Sequence, residues 1–252
     1  MKVDFIIVGQ GLAGTLLAFE LGRMNRTYIV YNDPNLPGAS SVAAGVINPV
    51  VFRRMTKSWM VDRVFEQMES TYGALEERLN EKLYDRCPIL KILSEGSAPV
   101  WKEKMAANQL EPYLEAEPAL EFRHPDIHSP FGVGIVTKAG RVDIQKLIIL
   151  FGAWLEEQNL LRKEKFMVEQ LVVNAQSVSY KDVESGKIIF CEGAAASHNP
   201  WFSQLKFKHS KGELLEVKIP GLHVNEIISH EVFLMPLGGD RYKAGEPMAG
   251  RI

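Results

Sequence analysis

Three glycines at fixed offsets carry the first candidate chemistry of this chain: Gly9, Gly11 and Gly14, in Gly9-Gln10-Gly11-Leu12-Ala13-Gly14. Such spacing suits the binding of an anion by backbone alone. The first glycine allows a tight turn, the second lets a pyrophosphate approach the main chain, and the third lets a helix pack closely on a sheet. The N–H groups at the helix start, from Leu12 to Gly14, would then face the anion with the positive end of the helix dipole. About twenty residues beyond such a turn an acid normally accepts from ribose hydroxyls, and here Asn32 stands there with Asp33 beside it. Asn has one acceptor oxygen and two donors, so Asp33 takes the role after a small shift if Asn32 does not. No Arg follows directly, which leaves a 2′-phosphate without a clamp. A basic cluster, Arg53, Arg54 and Lys57, reads as a solvated face on its own; beside a bound cofactor its arginines could grip a substrate carboxylate bidentately.

These residues need elements to position them. Val3 to Val8 reads as a fully buried strand, Thr15 to Arg23 as a helix and Tyr28 to Tyr31 as a second strand, the length of a nucleotide-binding βαβ unit. A turn-rich loop, 33–41, leads into small residues from Val42 to Pro49 that suit tight packing or a backbone lying on a flat ligand. Apolar residues three and four apart predict a long amphipathic helix from Trp59 to about Leu83. Tyr84 to Leu93 reads as a strand broken by Pro88, and Trp101 to Asn108 as a short helix. Gly134 to Thr137 reads as a strand, and Asp143 is placed to cap a helix from Ile144 to Gln158. Lys165 to Val173, Val178 to Tyr180 and Lys187 to Cys191 form a small meander, with its last turn at Glu184-Ser185-Gly186. A β-rich portion closes the chain, with a hairpin turn at Gly238-Gly239-Asp240. The fold class expected is α/β, a Rossmann-like domain with a second, β-rich domain.

Composition narrows the function. The 252 residues are 46% hydrophobic and 24% charged, as in an ordinary globular protein, with a net charge of -2 that gives nucleic acid or an anionic membrane no hold. Two cysteines, Cys87 and Cys191, lack metal-type spacing and fit a reducing compartment. The first apolar run reaches Gly9 too soon for a signal peptide or a membrane span, so a cytoplasmic protein is expected. His124 and His128 flank Pro125 and precede Pro130, so no helix aligns them, and without a third ligand no metal is expected.

Taken in order, the motifs resemble those of the D-amino-acid oxidase/glycine oxidase family of FAD-dependent oxidoreductases. The resemblance runs through the glycine turn and Gly38-Ala39-Ser40-Ser41-Val42-Ala43-Ala44-Gly45 to Gly140-Arg141-Val142-Asp143. It continues with Ile188 to Gly193, with Lys211-Gly212-Glu213 where the family often has Arg-Gly-Gln, and with Phe233-Leu234-Met235-Pro236 leading to Arg241 to Gly245. It implies FAD, with Gly9, Gly11, Leu12, Ala13 and Gly14 at the pyrophosphate and Asn32 or Asp33 at the ribose. Ser40, Ser41, Ala43, Ala44 and Gly45 would line the region towards the isoalloxazine, Val168 would meet the adenine side, and Gly193 would pass near the cofactor. Arg53 and Arg54 are the candidate carboxylate contacts; Phe233 stands where the family often has Tyr over the substrate, and no catalytic acid or base emerges.

The family's domains are discontinuous, which here implies an FAD-binding domain of 1–55 and 140–205 and a substrate domain of 56–139 and 206–252. The family also continues well past this length, through a carboxylate-binding Arg and a second glycine-rich turn, so the expectation is either a truncated product, whose FAD domain would bind flavin poorly or not at all, or a chain of which part is not represented here. The activity implied is oxidation of a small amine or amino acid by hydride transfer to flavin. Oxidation of a 2-hydroxy acid on the same scaffold and a non-catalytic nucleotide-binding role are the alternatives; tRNA-base modification is disfavoured by the near-neutral charge.

Overall fold

The computed structural model describes residues 1–115 and 127–246. The chain forms two compact units, each built from two separate stretches: 1–43 with 144–210, and 44–143 with 211–252. His124, Pro125 and the last six residues of the expected substrate domain lie outside the described residues.

The first unit is built on Lys2–Val8, whose Ile6 and Ile7 are fully buried. It lies inside a six-stranded sheet ordered Leu161–Arg162, Tyr28–Tyr31, Lys2–Val8, Val183–Phe190, Val178–Tyr180 and Val172–Val173. The first four strands are parallel and the last two antiparallel. Helix α1 (Leu12–Arg23) buries Ala18 and Phe19; the Phe19 ring meets Phe151 edge-on, with centroids 6.2 Å apart. Tyr31, Phe166 and Tyr180 form an aromatic cluster on the same sheet.

The expected meander is corrected here. Val183–Phe190 is one strand through Glu184, Ser185 and Gly186, and the chain reverses earlier, at Lys181-Asp182, where Lys181 takes φ 51. The ladder to Lys2–Val8 holds this whole segment extended, and that pairing outweighs the local turn signal. Val168 is likewise not in a strand. It opens a 3-10 turn, Val168–Gln170, whose backbone bonds run locally from Gln170 N–H to Met167 O and Leu171 N–H to Val168 O.

The second unit contains a six-stranded sheet in the order Leu214–Lys218, Arg241–Gly245, Phe233–Gly238, Ile227–Ser229, Ile89–Ile92 and Val133–Val136. The turn expected at Gly238-Gly239-Asp240 is present, with φ of 90, 61 and 59. Three short strands, Val46–Ile47, Gly140–Val142 and Tyr84–Arg86, make a separate sheet. The two halves of the run broken by Pro88 therefore enter different sheets. Helix α2 (Val61–Leu79) buries Val61, Tyr72 and Leu75. It ends earlier than its apolar spacing suggests, because Asn80 turns left-handed and the Glu76 carboxylate accepts from the N–H groups of Leu83 and Tyr84, both at 2.8 Å. Helix α3 (Ala98–Ala107) places Trp101 and Met105 in the core, and helix α4 (Ile144–Glu157) belongs to the first unit.

Residues 44–55, expected with the cofactor domain, fall in the second unit. The cause is local: Val46–Ile47 pairs with Gly140–Val142, and Val50–Val51 pairs with Thr56–Lys57. Residues 140–143 follow for the same reason, and the remaining boundary lies after residue 210.

Two buried tyrosines bear on alkaline stability. Burial, reinforced by Asp182 and Glu164, pushes the Tyr31 hydroxyl from 10.0 to about 12. Burial and the hydrogen bond that Tyr113 donates to Asp62 push the Tyr113 hydroxyl to about 12 as well. A phenol that holds its proton more tightly when folded contributes stability in full below pH 10.0, and that stability is lost as pH rises toward 12. Absorbance titration should therefore show late tyrosine ionisation together with loss of the far-ultraviolet circular dichroism. Ionisation of every tyrosine near its ordinary value, with the dichroism intact, would contradict this.

Candidate functional site

The glycine turn lies at the carboxyl end of Lys2–Val8, where a parallel sheet presents ligand sites. Gly9 takes φ 101, and a Cβ there would come within 2.4 Å of the Cys191 carbonyl oxygen. Its N–H donates to Tyr31 O at 2.8 Å, which ties the turn to the neighbouring strand. Helix α1 begins at Leu12 with no side-chain cap of its own. The Leu12 N–H is instead met by Ser40 Oγ at 3.1 Å, and the Ala13 and Gly14 amides have no acceptor within the helix. Ser40 also lies against the bare face of Gly11, where a Cβ would approach its Oγ to 3.2 Å. A helix start with unsatisfied amides, a turn without side chains and a hydroxyl beside it form a cradle for a pyrophosphate.

Gln10, between the first two glycines of the motif, locks this cradle. It is buried, and its Nε2 donates to Ile148 O at 2.9 Å and to Thr15 Oγ1 at 3.3 Å, so it joins the turn to α4. Its backbone N–H donates to Asn32 Oδ1 at 3.0 Å. Asn32 is thus at the expected place but partly committed. Its carbonyl oxygen holds the turn, which leaves its amide group and one lone pair for a further partner. Asp33 Oδ1 accepts from Asn35 N–H at 2.9 Å in a local turn. No sequence signal beyond the side chain's amide distinguishes these assignments.

The other expected cofactor residues divide between the units. Ser41 closes a 3-10 turn and donates from Oγ to Gly38 O at 2.7 Å. Ala43 ends the first unit's opening stretch, whereas Ala44 and Gly45 open the second unit. Gly193 begins a 3-10 turn with φ 56 and open space in its Cβ direction. Val168 packs against the cluster of Tyr31, Phe166 and Tyr180. Arg53 and Arg54 are exposed on the turn between Val50–Val51 and Thr56–Lys57, and Phe233 is partly buried against the second unit's core. His128 is exposed, and among the described residues no three His, Cys, Asp or Glu are grouped to hold a metal. Among the same residues no helix is long and apolar enough to cross a membrane.

A parallel sheet with a glycine turn, an open helix start and a polar group at the end of the second strand defines a dinucleotide-binding fold. The chain belongs to the FAD dependent oxidoreductase family, whose pattern matches residues 4–250. FAD is the family's cofactor, and the cradle fits it.

Among solved structures the chain is similar to glycine oxidase from Geobacillus kaustophilus, with a TM-score of 0.78 and 18% identity over 98% of this chain and 71% of that one. It is also similar to iminodiacetate oxidase from Chelativorans sp. BNC1, with a TM-score of 0.73 and 16% identity over 97% and 71% of the two chains. A third likeness is to FAD-bound L-alpha-glycerophosphate oxidase from Mycoplasma pneumoniae, with a TM-score of 0.67 and 14% identity over 98% and 71%. At these identities the likeness is one of fold.

Proposed function

We propose that this FAD-dependent oxidoreductase oxidises a small amine or amino acid by hydride transfer from the carbon that bears the nitrogen. The observation that carries the reading is the cradle formed by Gly9, Gly11, the start of α1 and Ser40. When bound, FAD supplies the hydride acceptor and passes the electrons onward. The chain's own part is to bind and orient. The Ala13 and Gly14 amides hold phosphate oxygens, and Asn32, steadied by the Gln10 amide, offers its side-chain N–H to the ribose. The reading is also supported by the likeness to a glycine oxidase and an iminodiacetate oxidase, whose names describe amino-acid chemistry.

The test is the visible absorption spectrum of the purified protein, followed by denaturation to release the cofactor. A flavin spectrum with FAD in the supernatant is expected, as is anaerobic bleaching by a member of an amine and amino-acid panel. Bleaching by 2-hydroxy acids alone would move the substrate class to alcohols. A colourless protein that takes up no added FAD would overturn the reading.

A further inference from the structure

Between Glu192 and Glu213 the chain runs for twenty residues with three lysines, two histidines and no acid. The net charge of -2 averages this stretch away. Its first half is firmly held. Asn199 is buried; its Oδ1 accepts from the Trp201 N–H at 3.0 Å, and its Nδ2 donates to Glu192 Oε2 at 2.8 Å. These bonds fix the 3-10 turn Pro200–Phe202, in which the Phe202 ring meets Phe190 edge-on with centroids 5.6 Å apart. Phe202 O also accepts from the Leu205 N–H at 2.9 Å. With Phe202 turned inward, Trp201 and Leu205 are left in solvent.

Three large apolar side chains thus stand exposed within seven residues: Trp201 at 53%, Leu205 at 61% and Phe207 at 40%. Lys206 and Lys208 flank Phe207, both exposed and without an acidic partner among the described residues. The Phe207 ring stacks with His209, centroids 6.4 Å apart. One exposed apolar residue needs no explanation, whereas several together beside unpaired cations mark a contact surface. Lysine stems lie along apolar surface while their ammonium groups reach for anions, and Trp favours a boundary that is apolar on one side and wet on the other.

We propose that Trp201, Leu205 and Phe207, with Lys206 and Lys208, dock the chain on an anionic lipid surface. The apolar side chains enter the headgroup boundary and the lysines meet lipid phosphates, the two contributions on which interfacial binding depends. A single-stranded nucleic acid would attract the same cations but needs rings on which its bases stack. The most exposed apolar side chain of the three, Leu205, is aliphatic and offers none. Lipid takes all three.

Vesicles of phosphatidylglycerol mixed with phosphatidylcholine, and of phosphatidylcholine alone, are floated with the FAD-supplemented full chain. Wild type should float with the anionic vesicles and not with the neutral ones. Salt at about 1 M, where charges are screened beyond about 3 Å, should release it. Lys206→Gln together with Lys208→Gln should weaken the partition roughly twenty-five-fold, about fivefold for each lysine. Leu205→Ser should weaken it as well. All these side chains are exposed, so the variants should melt with wild type. Tryptophan emission reads the contact directly: it should shift to the blue on anionic vesicles, and Trp201→Phe should abolish the shift. Trp59→Phe is the control and should keep it, because Trp59 is 86% exposed but lies in the second unit. A wild type that floats with neither vesicle or equally with both, a lysine double variant with unchanged partition, or a blue shift that survives Trp201→Phe would overturn the proposal. Binding to polyuridylate or polyglutamate but to no vesicle would overturn it too, and would move the occupant to a nucleic acid or an acidic protein.

Discussion

Gly14→Ala should yield a chain that takes up no FAD and melts several degrees lower than wild type. A Cβ at position 14 would lie 1.9 Å from the Gly9 carbonyl oxygen and 3.0 Å from its carbon. Both are backbone atoms, so no rotamer change relieves the clash. The turn cannot retreat either, since Gly9 holds φ 101 and its own Cβ direction is closed by Cys191 O at 2.4 Å. Helix α1 must therefore lift away from the sheet and carry the Ala13 and Gly14 amides with it. Overpacking of this kind costs about 1–3 kcal/mol and more where backbone has to move. At about 2–4 °C per kcal/mol for a chain of this size, calorimetry would register it readily. Gly38→Ala is the control, because nothing lies within 4 Å of its Cβ direction. Wild-type FAD uptake by the Gly14 variant, followed by flavin fluorescence quenching, would show that the helix does not seat on the turn as described.

The second large effect is expected at Gly45→Ala, and it should fall on the second unit. Gly45 takes φ 76, and a Cβ there would stand 1.9 Å from Val142 O and 3.0 Å from its carbonyl carbon. Its own carbonyl accepts from Val142 N–H at 2.9 Å, so the two backbones are pinned together. The left-handed conformation alone costs a side chain about 1–2 kcal/mol, and the clash adds to it. Gly193→Ala, at φ 56 but with open space around it, should pay the conformational term only. Hydrogen exchange is the discriminating measurement: Gly45→Ala should speed exchange in Tyr84–Arg86 and Gly140–Val142, and unchanged protection there would refute the close approach.

The sequence made the first βαβ unit readable because there local and tertiary preferences agree. Ile6 and Ile7 are apolar and end fully buried, Gly9 takes the positive φ of a tight turn, and Gly14 meets the close helix approach its spacing implies. The closing hairpin at Gly238-Gly239-Asp240 was legible for a similar reason, its residues being suited to positive φ. Where long-range pairing competes with local signals, the reading was less good. Glu184-Ser185-Gly186 has the composition of a turn but lies in a ladder to Lys2–Val8. Val168 is a β-former in a 3-10 turn whose backbone bonds are all local.

Site residues divide in the same way. The glycines announce themselves, whereas Gln10 is recognisable only from its contacts with Ile148 O and Asn32.

The discontinuity of the first unit has a consequence for synthesis on the ribosome. Lys2–Val8 finds its partner on one side in Tyr28–Tyr31 soon after emerging, but on the other side it waits for Val183–Phe190. At about 5–20 residues per second, this strand stays with one edge open for many seconds, while most of the second unit is being made. Contacts so distant in sequence also slow folding, because a long loop must close before they form. The nascent chain must therefore complete the second unit's insertion before its first-made strand is sheltered, and in that interval it is a natural client for chaperones that cover unpaired strand edges.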